Sequence, residues 1–196
     1  MYTRQIDLPL ELNLWIDGLN RSFKERSSKN IPYQEMRCED ITLNENKKVL
    51  GVYSDTNELV GGASVEYCLE YNNVKTVKIG HVWILPKCQG QGIGKFLMKE
   101  IEHIAVHDGR ELMQLNVANI YKPAIELYKR SNFKDVKIYA NFPKTYYFVR
   151  MIKSIGNYKF SECRRRYMLI KSYIIFGVLY HRDSSPTIIN KVLYGR

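Results

Sequence analysis

No linker-like, repetitive or low-complexity tract occurs in this 196-residue chain, because its six prolines and twelve glycines are scattered along it. Solenoid and disordered-linker readings are therefore excluded. Cysteine is also scarce. Cys38, Cys68, Cys88 and Cys163 form no Cys-x-x-Cys pair, and no N-terminal apolar segment precedes a cleavage site. Both absences lead us to expect a reducing, cytoplasmic location. The apolar run from Tyr167 to Tyr180 is interrupted by Lys171, Ser172 and Gly177. At about 14 residues it falls short of the roughly 20 needed to cross a bilayer. Acidic residues are in deficit, with 20 Asp and Glu against 30 Lys and Arg, a formal charge of +10 that suggests an acidic partner or substrate surface. The excess is uneven. Residues 154–196 hold eight Lys/Arg against Glu162 and Asp183, which is +6 of the total.

The composition that remains, 45% apolar and 26% charged, fits one globular domain with an appendage. Thr3 to Leu8 reads as a first strand. Pro9 suits the opening of a helix on which Leu12, Trp15, Ile16, Leu19 and Phe23 make an apolar core stripe. Arg21 to Asn30 is polar and Pro32 interrupts it, so this segment is either a loop or a short second helix. Lys48 to Ser54 and Leu59 to Tyr71 read as strands around an Asp55-Thr56-Asn57 turn, and Asn72-Asn73 turns the chain into Val74 to Leu85. The result is an antiparallel meander that ends at Pro86.

Directly after it comes Gln-Gly-Gln-Gly-Ile-Gly, residues 89–94, followed by a helix with Ile93, Phe96, Leu97, Ile101 and Ile104 on one face. Glycines at 90, 92 and 94 remove the Cβ atoms that would keep a ligand from the backbone. Successive N–H groups at the helix N-terminus can then converge on a pyrophosphate. No Gly-Lys-Ser/Thr closes the stretch, so it is not a P-loop. No βαβ unit with an acidic residue about 20 positions on follows, so it is not a dinucleotide fingerprint. Asp108-Gly109 stops the helix, and Leu112 to Val117 reads as a short buried strand. Tyr121 to Phe133 reads as a further helix, and Asp135 to Ala140 and Tyr146 to Ile152 as two closing strands.

Gln89, Gly92 and Gly94, after a strand ending Ile84-Leu85-Pro86, resemble the Gln/Arg-x-x-Gly-x-Gly/Ala signature of the GNAT superfamily of N-acyltransferases. Ala124, Leu127, Tyr128 and Phe133 match a second signature, Asn-x-x-Ala-x-x-Leu-Tyr-x-x-x-Gly-Phe. The resemblance covers about residues 3–153. It implies a mixed α/β (α+β) fold with a central, mostly antiparallel, six- to seven-stranded sheet flanked by helices. The expected organisation is an acyltransferase domain over 1–153 and a basic helical extension over 154–196.

The resemblance also implies a site. Acetyl-CoA would be the acyl-donor cosubstrate, held by Gln89, Gly90, Gln91, Gly92, Ile93, Gly94 and Lys95, with backbone groups of Ile84 and Leu85 pairing with its pantetheine arm like an added strand. Tyr121 stands where the family has Asn, so that side-chain hydrogen bond is either lost or taken over by Asn119. Asn132 stands in place of a glycine, a mild change because Asn tolerates the left-handed conformation. Tyr128 matches the general acid that protonates the departing thiolate.

No general base is evident. Lys78, Gly80 and Asn116 occupy the family's base positions, and none is suited to the task. Strict strand alternation puts His81 with Ile79 and Trp83 on the opposite face from Lys78 and Gly80, a structural position. A water chain, or an amine that arrives neutral, would then replace the base. His103 and His107 have i, i+4 metal spacing but no accompanying Glu base or third ligand, so no metal is expected.

The implied activity is direct acyl transfer, most often acetyl, to an amine on a small molecule, a protein N-terminus or a lysine. The alternative is a non-catalytic acyl-CoA-binding module whose basic tail binds a partner. For that tail, Arg164-Arg165-Arg166 and the apolar run after it allow packing on the domain or on a second copy of the chain, contact with anionic lipid, or nucleic-acid binding. Packing is the expectation, with Ser185-Pro186 opening a last helix.

Overall fold

A computed structural model describes residues 1–6, 9–26, 35–41, 43–70, 73–140, 147–156, 159 and 161–180, without the side chains of 139–140 and 173–180. The elements are β1 (Tyr2–Gln5), α1 (Pro9–Arg26), β2 (Lys47–Tyr53), β3 (Leu59–Glu70), β4 (Val74–Ile84), α2 (Ile93–His107), β5 (Leu112–Ala118), α3 (Lys122–Arg130), β6 (Lys134–Ala140), β7 (Tyr147–Ser154) and α4 (Glu162–Tyr180). They form two compact units, Met1–Met113 and Gln114–Arg196, divided within β5. Strand order is β1-β2-β3-β4 in the first unit and β5-β7-β6 in the second. The pairs β1·β2, β2·β3, β3·β4 and β6·β7 are antiparallel. Seven mostly antiparallel strands with flanking helices are the expected mixed α/β class.

In the first unit, two glycines let α1 lie against the sheet. A Cβ on Gly62 would sit 2.1 Å from Trp15 Nε1 and 2.5 Å from the Leu50 carbonyl oxygen, and one on Gly18 would sit 2.3 Å from the Trp83 ring. With both absent, Trp15 and Trp83 meet edge to face, with ring centroids 5.9 Å apart, and Trp15 Nε1 donates to the Leu50 carbonyl at 3.0 Å. Ile6, Leu12, Ile16, Leu19, Val49 and Leu85 complete this buried cluster. The edge-to-face geometry contributes about 0.5–1.5 kcal/mol beyond area burial. The polar segment after Phe23 continues α1 to Arg26, which corrects a loop reading for its first residues. Residues 27–34 lie outside the described set.

β4 departs from simple alternation. Ser64 of β3 pairs with Gly80, yet Gly62 pairs with Trp83, so two residues of β3 span three of β4. His81 takes up the extra length at φ +49°, in the left-handed region. This is a β-bulge, and it puts Trp83 on the α1 side of the sheet, opposite Gly62.

Each of two helices ends in a Schellman motif. Arg110 N–H donates to Ala105 O and Gly109 N–H to Val106 O, with Gly109 at φ +64°. Phe133 N–H donates to Tyr128 O and Asn132 N–H to Lys129 O, with Asn132 at φ +67°. Asn132 thus does the work of the expected glycine.

In the second unit α4 begins at Glu162, five residues before the apolar run, and packs on β6. The strand order leaves β6 with an open edge, a row of unpaired backbone groups that favours aggregation unless covered. The α4 side chains meet that edge. Ile138 N–H donates to Ser172 Oγ at 2.9 Å, and Arg165 Nη1 donates to the Asp135 carbonyl at 2.7 Å. Ser172 is 4% exposed and donates onward to the Leu169 carbonyl. Glu162 gathers Arg165, Arg166 and Lys134, and the Arg165 hydrogen bond chiefly holds its carboxyl down to about 2. Arg165 and Arg166 are therefore engaged within the chain. Ser185-Pro186 lies outside the described residues.

Ser172→Ala leaves the buried Ile138 N–H without an acceptor, a loss of roughly 1–3 kcal/mol. For a chain of this size, we expect the Tm to fall by about 2–10 °C. A chain ending at Gly156 should melt lower still or aggregate. Scanning calorimetry checks both, and an unchanged Tm in both variants would contradict docking of α4 on β6.

Candidate active site

The expected cofactor-binding residues fall in both units. In the first, β4 ends at Ile84, a single turn over Pro86–Cys88 follows, and Gln89–Gly92 lead into α2. Gly90 and Gly92 have φ of +77° and +82°, which most side-chain-bearing residues avoid, and an added Cβ on either would meet nothing within 4 Å. Backbone geometry alone therefore demands glycine at both positions. Gly92 is the N-cap of α2 and supplies no side-chain cap. The first bond inside the helix is Phe96 N–H to Gly92 O at 3.0 Å. The N–H groups of Gly92, Ile93, Gly94 and Lys95 all precede it, as the four donors at any helix start must. A serine, threonine or aspartate cap would ordinarily satisfy one of them. Leaving the cap as glycine keeps a partial positive charge of about half a unit facing outward.

One glutamine ties the loop to the strand and a second ties it to the turn between them. Gln89 Nε2 donates to the Ile84 carbonyl at 3.0 Å, and Gln91 Nε2 to the Lys87 carbonyl at 3.1 Å. Ser22 Oγ, buried on α1, also donates to Ile84 O at 3.0 Å. Leu85 N–H donates to Val60 O, and Cys88 N–H to Leu85 O. The Ile84 carbonyl and both backbone groups of Leu85 therefore hold the loop within the chain. Glu58, whose carboxylate would repel an anion here, is paired with Lys87 Nζ at 2.5 Å.

In the second unit, Tyr128 lies on α3 with only 6% of its surface exposed and meets Phe133 edge to face at 6.0 Å. The same two residues are bridged by the backbone bond that ends the helix. Tyr121 caps α3, and its carbonyl accepts from Ile125 N–H. Asn119 bonds Tyr147 twice: its N–H donates to the Tyr147 carbonyl at 2.9 Å, and its Oδ1 accepts from Tyr147 N–H at 3.0 Å. Its amide oxygen thus holds the start of β7.

Lys78 Nζ is 2.9 Å from Glu70, and that hydrogen bond raises its pKa, which disqualifies it further as a base. Asn116 Oδ1 accepts from Arg150 Nε at 3.1 Å. His103 and His107 have 77% and 90% of their side chains exposed, and their nearest acidic groups are Glu100 and Asp108.

His81 corrects the alternation argument. An added Cβ on Gly80 would lie 3.0 Å from Ser64 Oγ, so Ser64 points to the Gly80 face. His81 Nδ1 is 2.8 Å from that same oxygen, so its ring reaches the face it was expected to avoid. The bulge is the cause. Gly80, isolated within a strand pattern, was the available sequence signal for it.

The model described as the acetyltransferase (GNAT) family matches residues 13–133. The chain is 29% identical over 93 residues to a thialysine N-epsilon-acetyltransferase from Bos taurus, covering 45% of this chain and 55% of that protein. It thus spans about half the length of that curated relative. Among solved structures, aminoglycoside 6'-N-acetyltransferase complexed with coenzyme A superposes with TM-score 0.61 and 15% identity, covering 82% of this chain and 100% of the other. Arabidopsis thaliana NAA60 in complex with a bisubstrate analogue gives TM-score 0.60 and 18% identity, covering 80% and 99%. These two likenesses establish the fold. Because the family match extends over more than half of the chain and takes in the glycine loop and α3, this protein belongs to the GNAT acetyltransferase family.

Proposed function

We propose that the chain is an acetyl-CoA-dependent N-acetyltransferase that moves the acetyl group directly to an amine. The amine would sit on a small molecule, a protein N-terminus or a lysine. The observation that carries the reading is the uncapped N-terminus of α2, with Gly90 and Gly92 at positive φ and open space where their side chains would stand. Such a terminus suits the pyrophosphate of coenzyme A. Coenzyme A in one structural relative and an Nε-acetyltransferase among the sequence relatives support the same reading. The proposed binding set is Gln89–Lys95 for the pyrophosphate, with backbone groups of Ile84 and Leu85 pairing with the pantetheine arm and Asn119 or Tyr121 supplying a further contact to it. Tyr128 is the acid that protonates the departing sulfur. Residues 1–153 would carry the activity, with 154–196 as a packing extension, in a cytoplasmic enzyme. Among the described residues no helix is long and apolar enough to cross a membrane.

Gly92→Asp adds a carboxylate where phosphate should sit, and we expect coenzyme A binding to disappear in calorimetry. Gly109→Asp is the control. It carries the same positive-φ strain at φ +64°, with nothing within 4 Å of its Cβ, at the far end of α2. It should keep its affinity. Equal affinities in both variants would remove the phosphate-loop assignment.

Tyr128→Phe deletes only the hydroxyl and keeps the Phe133 contact. The fold and cofactor affinity should hold while turnover, measured as free-thiol release, falls by ~10² to 10⁴. Turnover within about twofold of the parent, far below that range, would contradict the role of Tyr128.

A further inference from the structure

The end of α2 farthest from the glycine loop carries positive charge that its neighbours do not neutralise. Arg110 follows the Schellman motif there, and its backbone is pinned on both sides. Its own N–H donates to Ala105 O at 2.8 Å, and Glu111 N–H donates to Lys75 O on β4 at 2.8 Å. The Arg110 guanidinium carbon lies 4.3 Å from the centroid of the Tyr67 ring on β3, and Lys48 Nζ on β2 lies 5.4 Å from the same centroid. One buried ring thus gathers two cations.

The acidic group beside them is already committed. Asp108 Oδ2 accepts from the Tyr67 hydroxyl at 2.6 Å, and Asp108 Oδ1 lies 3.2 Å from His107 Nδ1. The Tyr67 bond, then His107, and more weakly Lys48 hold the Asp108 carboxyl below its usual range. Burial first, and then Asp108, push Tyr67 up to about 12, so the ring is a neutral phenol at pH 7 and lends neither cation a charge. Asp108 alone therefore offsets two cations, and no ion pair joins Arg110 to it or to Glu111. Among the described residues, Arg110 Nε is buried with no hydrogen-bond acceptor. Burying part of a guanidinium in this state is costly, and a bound ion is one of the few things that explain its retention. Nε is covered while the residue as a whole is half-buried, so the Nη end is the part open to a ligand.

We propose that Arg110 and Lys48 form an oxyanion site, separate from the glycine loop, that takes the phosphate group of a small molecule. The guanidinium offers N–H groups in one plane, a match for two oxygens of the same group, and the ammonium adds a point charge. The pinned backbone and the stack on Tyr67 fix that plane before a ligand arrives, so little freedom is lost on binding. With 15 residues in α2, the site lies roughly 22 Å along the helix from the N–H groups assigned to the pyrophosphate. It does not depend on the acetyltransferase reading.

The probe is inorganic phosphate, titrated by phosphorus NMR into the Gly92→Asp protein, in which the loop is closed to anions. Binding should saturate, and sodium chloride at equal ionic strength should not reproduce it. In the isotope-labelled protein, the Arg110 Nε–H resonance, identified by its loss in Arg110→Lys, should move along the same curve. Adding Arg110→Gln or Lys48→Met should each weaken binding by at least about tenfold, the loss expected for one charge-assisted hydrogen bond. Arg110→Lys, which keeps the charge and loses the fork, should recover part of it. Glycerol phosphate distinguishes the source: tighter binding of the ester points to a phosphorylated metabolite, tighter binding of the free ion to phosphate itself, and either supports the site. Lys48→Met carries the test should Arg110→Gln fail to fold. No saturable binding, an equal response to chloride, or unchanged affinity in either folded variant would overturn the proposal.

Discussion

The close approach of α1 to β3 and β4 is the constraint on which the first unit depends, and it exists because Gly18 and Gly62 carry no side chain. A methyl group at either position would occupy the space of a tryptophan ring. With that space free, the Trp15–Trp83 contact fixes the height of α1 above the sheet, and Ser22, one turn after Gly18, reaches the Ile84 carbonyl. The same carbonyl receives Gln89. Helix packing and loop geometry are thus linked through one oxygen atom at the end of β4. The uncapped start of α2 follows directly from where that strand ends.

The bulge in β4 ties the core to the position of His81. One extra residue turns Trp83 toward α1 and, in the same step, brings His81 to Ser64. The strain at His81 and the burial of Trp83 are two consequences of one register shift, so the core's packing energy holds the strained residue in place. At the other end of the chain, α4 covers β6 through Ser172 and Arg165. Part of the basic segment is in this way engaged by contacts within its own unit.

Periodicity and turn chemistry made most elements legible. The meander was marked by Asn57 and Asn73, both found at positive φ, and the helix ends by Gly109 and Asn132. The glycine loop was legible because its demand is local: positive φ at two glycines before an amphipathic helix. The face of His81 was not, because alternation assumes an unbroken register and a bulge is decided by pairing with a partner strand. Ser22 and Ser64 were also missed. Each is a serine on an ordinary helix or strand, and its role appears only when a distant backbone or side chain meets it. The extension of α1 to Arg26 past its apolar stripe was hidden for a similar reason, since helix continuation there does not depend on a buried face.

The central claim is that the free N–H groups opening α2 hold the pyrophosphate of an acyl-CoA. Calorimetric titration of the unaltered protein with coenzyme A and with pantetheine, which shares the arm but lacks the pyrophosphate, tests it most directly. Two charge-assisted hydrogen bonds at ~1.5 kcal/mol each correspond to about 10²-fold in affinity. The account predicts that coenzyme A binds at least that much more tightly than pantetheine, whereas equal affinities for the two would contradict it.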